Sequence, residues 1–216
     1  MLNHPIKKEE YKLLLKLDKK VYPTANPINK KILNNWYTKN PEFGIMFKEK
    51  GKLQGVCAAI PLTEKGWKKL TRGKLAEAEL KENTIFDNKR DRAIGLHIYH
   101  IEKTNPQANQ IYVESLKALK KILIALRKNN PTLKAIGFSG LCVTKEGINL
   151  FENKLNCSEK TFINKENIFE NEKGQIIVKS NKTGKICAPK GYKHKNRCKM
   201  LITTPKEKSI VWNYIR

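Results

Sequence analysis

The chain has 216 residues, of which 39% are hydrophobic and 8% aromatic, enough apolar material for a folded core without disulfides or metal. Its 44 lysines and arginines against 20 aspartates and glutamates give a formal net charge of +24, which attracts polyanions. No run approaches the ~18 apolar residues of a membrane-spanning helix. The N-terminus has no apolar stretch after its positive charges. We therefore expect neither a membrane protein nor a secreted one, and a cytoplasmic location.

The positive charge is almost entirely lysine, because arginine supplies only six of the cations. Lysine is a point charge without the planar fork that arginine offers to phosphates and bases. The lysines are also spread along the whole chain. This pattern favours a solvated lysine surface over a dedicated nucleic-acid site, although both interpretations remain open.

The five cysteines fit a reducing compartment rather than a disulfide framework. Cys57 and Cys142 lie in apolar, strand-like runs and are expected in the core. Cys187, His194 and Cys198 could be imagined as zinc ligands, but their spacing matches no compact zinc module and a fourth ligand is missing. We therefore expect no metal site.

The first forty residues predict two helices. The first ends before Pro23. Asn26-Pro27, a capping side chain followed by proline, predicts the start of the second. The apolar face of the second helix is expected to carry Ile28, Ile32, Leu33 and Trp36.

Residues 43–62 predict two antiparallel strands joined by a tight turn at Lys50-Gly51-Lys52. Thr63 can cap a short helix that carries Trp67 and Leu70. The polar stretch GKLAEAELKENTIF, which follows Arg72, has a helical composition.

Residues 93–103 predict the clearest single strand, and alternation along it has a specific consequence. Ile94, Leu96 and Ile98 should face one way, and His97, Tyr99 and Ile101 the other. A long helix is expected to open near Ile111.

The rest of the chain predicts further elements. Residues 134–143 form a strand, and Thr144 caps a helix carrying Phe151. More strands are expected at 161–169, 175–179 and 198–203.

This order of elements resembles that of GNAT-type N-acetyltransferases, and two segments resemble the family more closely. FGIMFKEKGKLQGVCAAIPLTEKGWKKL is similar to a strand pair followed by G-x-x-x-x-x-P-[LIV]-[ST]-E and a helix. VTKEGINLFENKLNCSEK is similar to the family's last core helix. The resemblance covers roughly residues 10–160 and consists of several motifs of moderate specificity.

The resemblance implies an α/β protein of the α+β type, with the GNAT acyl-CoA N-acyltransferase fold. Such a fold has a mixed, mostly antiparallel sheet flanked by helices. Residues 1–216 would form a single domain with its core at about 10–160. Residues 161–216 would supply strands that complete or extend the sheet.

The resemblance also implies acetyl-CoA as cosubstrate, held where the strands at 93–103 and 134–143 splay apart. Its pyrophosphate would contact backbone N–H groups where the long helix opens. Family members usually read [QR]-x-x-G-x-[GA] there. This chain reads QANQIY, with Gln110 and Tyr112 at the two small-residue positions. The implied cofactor-binding residues are Ile101, Lys103, Gln107, Ala108, Asn109, Gln110, Ile111 and Tyr112.

The resemblance also implies a general base, a histidine or carboxylate on the central strand. A base is needed because the acceptor amine must lose a proton before it attacks. The candidates are His97, His100 and Glu102, with His97 closest to the family position. A family tyrosine that protonates the leaving thiolate corresponds to Phe151, which has no proton to give. Tyr99 or Tyr112 could substitute if the geometry allows.

Three functions follow as hypotheses. The first is an N-acetyltransferase that moves an acetyl group directly from acetyl-CoA to an amine of a small molecule or protein. The second is a catalytically degenerate module that binds nucleic acid or an acidic partner through its lysines. The third is an acyltransferase supplied by an acidic acyl carrier protein.

Overall fold

A computed structural model describes residues 2–21, 28–108, 110–160 and 199–215, together with the backbone of four strands between 166 and 197. The helices are α1 (Tyr11–Val21), α2 (Lys30–Tyr37), α3 (Glu64–Thr71), α4 (Ile111–Asn129), α5 (Lys145–Asn149) and α6 (Val211–Ile215). The strands are β1 (Leu2–Pro5), β2 (Gly44–Glu49), β3 (Lys52–Leu62), β4 (Ala93–Lys103), β5 (Lys134–Cys142), β6 (Ser158–Glu159), β7 (Glu166–Asn171), β8 (Ile176–Ser180), β9 (Ile186–Cys187), β10 (His194–Arg197) and β11 (Lys199–Thr203).

Seven strands form one sheet in the order β1-β2-β3-β4-β5-β11-β6. Strands β4 and β5 run parallel, and α4 supplies the crossover that a parallel pair requires. The other neighbouring pairs are antiparallel. The predicted mixed, mostly antiparallel sheet with flanking helices is therefore confirmed.

Helices cover both faces of this sheet. A Cβ added at Gly55 would meet Ile111 of α4, and one added at Gly140 would meet Phe151, which follows α5. These two helices therefore share one face of the sheet, here called the α4 face. A Cβ added at Gly95 would instead meet Trp67 of α3. The opposite side is called the α3 face, and α1 and α2 also lie on it.

Trp67 fixes α3 to the sheet. Gly95 of β4 and Gly137 of β5 are register partners, and a Cβ on either would lie 2.2–2.3 Å from Trp67 side-chain atoms. The two glycines therefore leave a flat gap that the indole fills. Trp67 Nε1 also donates a hydrogen bond to Ser139 Oγ at 2.9 Å.

Strand β4 contains a bulge at Tyr99. Ala59 pairs with Ile98 and Ala58 with His100, so Tyr99 is an extra residue without a register partner on β3. An extra residue reverses the facing of everything after it. The alternation that the sequence predicts holds only up to this point.

The bulge corrects the predicted faces of β4. Ile101 pairs with Cys57 and lies on the α4 face, not on the face of His97. His100 and Glu102 consequently join His97 on the α3 face. A period-two pattern contains no signal for the extra residue, which explains the error.

Several other predicted boundaries are confirmed. The hairpin turns at Lys50 and Gly51, whose φ angles are +47° and +74°, as a two-residue loop requires. Thr63 and Thr144 cap α3 and α5 by accepting from the N–H groups of Gly66 and Gly147. Helix α4 begins at Ile111 as predicted.

Two helix predictions are wrong. Helix α2 begins at Lys30 rather than near Asn26-Pro27, which lies outside the described residues. Asn29 caps it by accepting from the Ile32 N–H at 3.1 Å, so Ile28 is buried but precedes the helix. The stretch GKLAEAELKENTIF forms only one 3₁₀ turn, Glu77–Glu79. Its end pairs with β3 instead, where Ile85 bridges Leu62 and the Phe86 N–H donates to the Pro61 carbonyl at 3.0 Å.

The C-terminal strands divide between two sheets. Strand β11 joins the large sheet beside β5, whereas β7 to β10 form a separate four-stranded sheet in the order β10-β7-β8-β9. The stretch that holds these four strands leaves the large sheet after β6 and returns at β11. There the Lys160 N–H donates to the Met200 carbonyl at 2.8 Å.

Candidate functional site

Strands β4 and β5 separate partway along their length. Their pairing runs to Ile98 and Gly140 and ends there, although β4 continues to Lys103 and β5 goes on pairing with β11. A cleft of about 240 Å³ opens between them. It is lined by Ile98, Tyr99, His100, Ile101, Glu102, Gly140, Leu141, Cys142, Val143, Thr144, Gly147, Leu150 and Phe151.

A groove of about 370 Å³ adjoins this cleft at the start of α4. Ile101 and Leu150 line both cavities, so the two are contiguous. Six of the eight residues that the sequence implies for the cofactor line the groove. They are Ile101, Lys103, Ala108, Gln110, Ile111 and Tyr112.

The other two predicted cofactor residues belong to the loop before α4. Asn105 organises this loop, because its side-chain oxygen accepts from the Gln107 N–H at 3.0 Å and its carbonyl from the Ala108 N–H at 2.9 Å. Asn105 Nδ2 also donates to Gln54 Oε1 at 2.7 Å. Asn109 lies outside the described residues.

Gln110 adopts the left-handed conformation, with φ +60° and ψ +29°, directly before α4. Its side chain makes no capping hydrogen bond, and an α-helix leaves its first N–H groups without partners inside the helix. These groups and the helix dipole create positive potential at the groove. Lys103 and Lys154 also line the groove and add to it, against the single carboxylate of Glu146.

An acid–base pair lies in the cleft on its α3-face side. His100 Nε2 donates to Glu102 Oε2 at 2.8 Å. The His100 side chain is 6% exposed and that of Glu102 is 24% exposed. Two residues apart on β4, these two predicted candidates share a face of the strand, and the bulge places them on the α3 face. The carboxylate keeps access to solvent.

Asp18 of α1 is close enough to this pair to interact with the charge of His100. It is buried and accepts a hydrogen bond from the Tyr99 hydroxyl. Burial raises the pKa of Asp18 to about 6, opposed by the Tyr99 hydrogen bond and by the charge of His100. Its part in the site was not predicted; the signal was a carboxylate on the apolar face of α1.

His97 lies elsewhere. It is fully buried and is not among the residues that line the cleft. Its Nδ1 lies 2.9 Å from Ser139 Oγ, and its Nε2 donates to Glu77 Oε1 at 2.7 Å. Since Ser139 also accepts from Trp67, the imidazole belongs to a hydrogen-bonded chain beneath α3.

Phe151 closes the α4-face side of the cleft. Its ring stacks on Phe138 with centroids 5.6 Å apart, and it lies against Gly140. The Tyr99 hydroxyl is committed to Asp18. The ring of Tyr112 lies in the groove, with Lys154 Nζ at 5.6 Å from its centroid.

The described residues offer no group of side chains that could hold a metal ion. The side chains of Cys187, His194 and Cys198 lie outside them. Cys57, Cys142 and Cys157 are buried free thiols. Within the described ranges, each helix is too short or too polar to cross a bilayer.

Two solved structures share this architecture at low sequence identity. Naa50 of Arabidopsis thaliana, in complex with the bisubstrate analogue CoA-Ac-MVNAL, matches with a TM-score of 0.50 and 11% identity, over 94% of this chain and 97% of that one. Naa20 of Chaetomium thermophilum, also in complex with a bisubstrate analogue, matches with a TM-score of 0.50 and 10% identity, over 100% of this chain and 92% of that one. No protein-family model and no curated protein matches the sequence. The chain has the GNAT acyl-CoA N-acyltransferase fold.

Proposed function

We propose that this protein is an N-acyltransferase that moves an acetyl group directly from acetyl-CoA to a primary amine. The observation that carries the proposal is the cleft between β4 and β5, which joins a positively charged groove at the start of α4. A long, thin cofactor with an anionic end and a thioester at the other fits two contiguous cavities of this kind.

The groove would hold the phosphates of CoA. The first N–H groups of α4 and the ammonium groups of Lys103 and Lys154 supply positive charge. The apolar walls formed by Ile101, Leu150 and Tyr112 suit the pantetheine arm, which would run from the groove into the cleft. The thioester would then lie beside the splayed ends of β4 and β5, where strand amides could polarise its carbonyl.

The chemistry would use His100 and Glu102 on the other side of the cleft. The amine nitrogen attacks the thioester carbonyl carbon, the C–S bond breaks, and CoA leaves as a thiolate. The pair accepts the proton that the amine gives up. That proton, or one from solvent, later neutralises the thiolate. Phe151 cannot supply it, so the leaving group would depart without a tyrosine acid.

The cofactor is tested by thermal unfolding with acetyl-CoA, CoA and ATP at matched ionic strength. A ligand that binds only the folded state adds about 2.7 kcal/mol when present at about 100 times its dissociation constant. We expect a rise in Tm with acetyl-CoA and CoA and none with ATP. An equal rise with all three, or none, would overturn the cofactor proposal.

The base is tested by comparing Glu102→Gln and His100→Asn with His97→Asn. Thiol release is followed with acetyl-CoA and a mixture of spermidine, a lysine-rich peptide and a peptide with a free α-amine. We expect the first two variants to lose about 10²–10⁴-fold in kcat with unchanged acetyl-CoA affinity.

His97→Asn serves as the contrast. It should cost about 1–3 kcal/mol of stability, because Ser139 and Glu77 lose their buried partner. Its kcat, measured well below its Tm, should stay within a few-fold of the parent. A large loss of kcat in His97→Asn, with kcat kept in the other two variants, would instead identify His97 as the base.

A further inference from the structure

A stripe of cations runs along the exposed side of α3. Lys65, Lys68, Lys69 and Arg72 follow the i, i+3, i+4, i+7 spacing that places side chains on one helix face. All four are exposed, since Trp67 and its neighbours occupy the buried face. With Glu64 and Lys74 these four line an open groove of about 460 Å³, here called the α3 groove.

This arrangement destabilises the isolated helix. Like charges three or four residues apart repel by about 0.2–0.5 kcal/mol per pair, and the stripe contains several such pairs. Glu64 offsets part of the cost through its ion pair with Lys68 at 2.5 Å. Lys65, Lys69, Arg72 and Lys74 form no ion pair with any described residue.

We propose that the α3 groove binds the phosphodiester backbone of duplex nucleic acid without reading its sequence. Neutralising phosphates with lysine and arginine releases counterions, which supplies most of the affinity of such contacts. From Lys65 to Arg72, the residue that caps the end of α3, the chain rises about 10 Å, enough to reach about three phosphates. Lysine, a point charge, suits contacts to a backbone better than contacts to base edges.

The lining of the α3 groove favours nucleic acid over an acidic protein. It contains only charged residues, whereas protein partners are usually anchored by buried aromatic or aliphatic side chains. The absence of an aromatic residue from this lining also removes the stacking platform that single strands use. A duplex, recognised by its backbone alone, is the partner that remains.

The α3 groove is separate from the proposed acyl-transfer site. Helix α3 packs on Gly95 and Gly137, near the starts of β4 and β5, whereas the cleft opens beyond Ile98 and Gly140. The groove for CoA lies on the opposite face of the sheet. Nucleic acid and acetyl-CoA should therefore bind independently of each other.

The test is fluorescence anisotropy with duplex DNA and duplex RNA, titrated between about 50 and 200 mM KCl. One variant carries Lys65→Gln, Lys69→Gln and Arg72→Gln. A control of equal charge change carries Lys117→Gln, Lys121→Gln and Lys128→Gln on α4. All six substituted side chains are exposed.

For the parent protein we expect a slope of log K against log[salt] of about −3, from about three phosphate contacts. The α3 variant should lose at least about tenfold in affinity at the lower salt concentration. Its slope should be shallower than that of the parent by about 2. The α4 control should keep the parent slope, and both variants should keep the CoA-dependent rise in Tm if that is seen in the parent.

Three outcomes would overturn the proposal. The parent could fail to bind either duplex. Both triple variants could weaken binding equally, which would mean that total charge rather than the α3 groove is responsible. Poly-glutamate could bind more tightly than the duplexes and lose affinity in the α3 variant alone, which would identify an acidic protein as the partner. A difference between the DNA and RNA arms tells which duplex is preferred.

Discussion

At the scale of single residues, Gln110 occupies a backbone conformation that favours glycine. The motif with which this stretch was compared has glycine at this position, and this chain departs from it. With φ at +60°, the position lies in the left-handed region, which costs a residue with a Cβ about 1–2 kcal/mol. Gln110 therefore carries a side chain at a left-handed position that lines the groove, where glycine would avoid this cost.

We expect Gln110→Gly to tighten acetyl-CoA binding by about tenfold, or about 1.4 kcal/mol, because the backbone could approach the phosphates more closely. Stability should change by less than about 1 kcal/mol, since glycine relieves strain but gains freedom in the unfolded chain. Gln110→Ala is the matched control, because it shortens the side chain and keeps the Cβ. Calorimetric titration gives both affinities. If Gln110→Ala gains as much as Gln110→Gly, side-chain bulk and not backbone geometry limits binding.

Asp18 makes stability depend on pH with a sign opposite to that of most carboxylates. Burial raises its folded pKa to about 6 from 3.8, so the folded state binds the proton more tightly than the unfolded state does. The resulting stability is fully present below about pH 4 and is lost as the pH rises through about 6, a change on the order of 2–3 kcal/mol.

Asp18→Asn should remove this dependence while keeping an oxygen that accepts from Tyr99. The free energy of unfolding of the variant, minus that of the parent, should therefore increase between about pH 4 and pH 6. Urea titrations at a series of pH values measure both. A constant difference across this range would show that Asp18 has an ordinary pKa.

At the scale of elements, α3 depends on one side chain and two glycines. Gly95 and Gly137 leave the flat space against which Trp67 packs. We expect Gly137→Ala to cost about 1–3 kcal/mol, because overpacking forces the indole away from the sheet. The same change in a Trp67→Leu background should cost much less. Denaturant unfolding of the four proteins gives this interaction energy, and strictly additive costs would contradict the arrangement.

The elements show how far a sequence can predict this molecule. The spacing of apolar residues and the capping side chains located α3, α4, β3, β4 and β5 closely, because those signals are local. The bulge at Tyr99 was not predictable, since one extra residue has no compositional signature. It decides which faces His100, Glu102 and Ile101 occupy. A helix was predicted around Glu77 because the composition there is helical, but the end of that stretch pairs with β3, a long-range contact that composition does not signal.

At the scale of the whole molecule, net charge should dominate the response to salt. A formal charge of +24 repels itself, and the described ion pairs neutralise few of the 44 cations. Raising the ionic strength from about 0.01 M to about 0.15 M shortens the Debye length from ~30 to ~8 Å. We expect Tm to rise by a few degrees in KCl, as scanning calorimetry would show. A fall in Tm would mean that favourable ion pairs outweigh repulsion.

The hydrogen bond between Lys160 and Met200 has a consequence for chain architecture. It holds the two ends of the intervening stretch, which contains β7 to β10, on adjacent strands, so this stretch is an insertion in the connection between β6 and β11. Replacing residues 161–198 by a turn of about four residues would lower the loop-closure cost by about 2 kcal/mol. We therefore expect a shortened connection or a foreign domain at this join to leave the strand order of the large sheet unchanged.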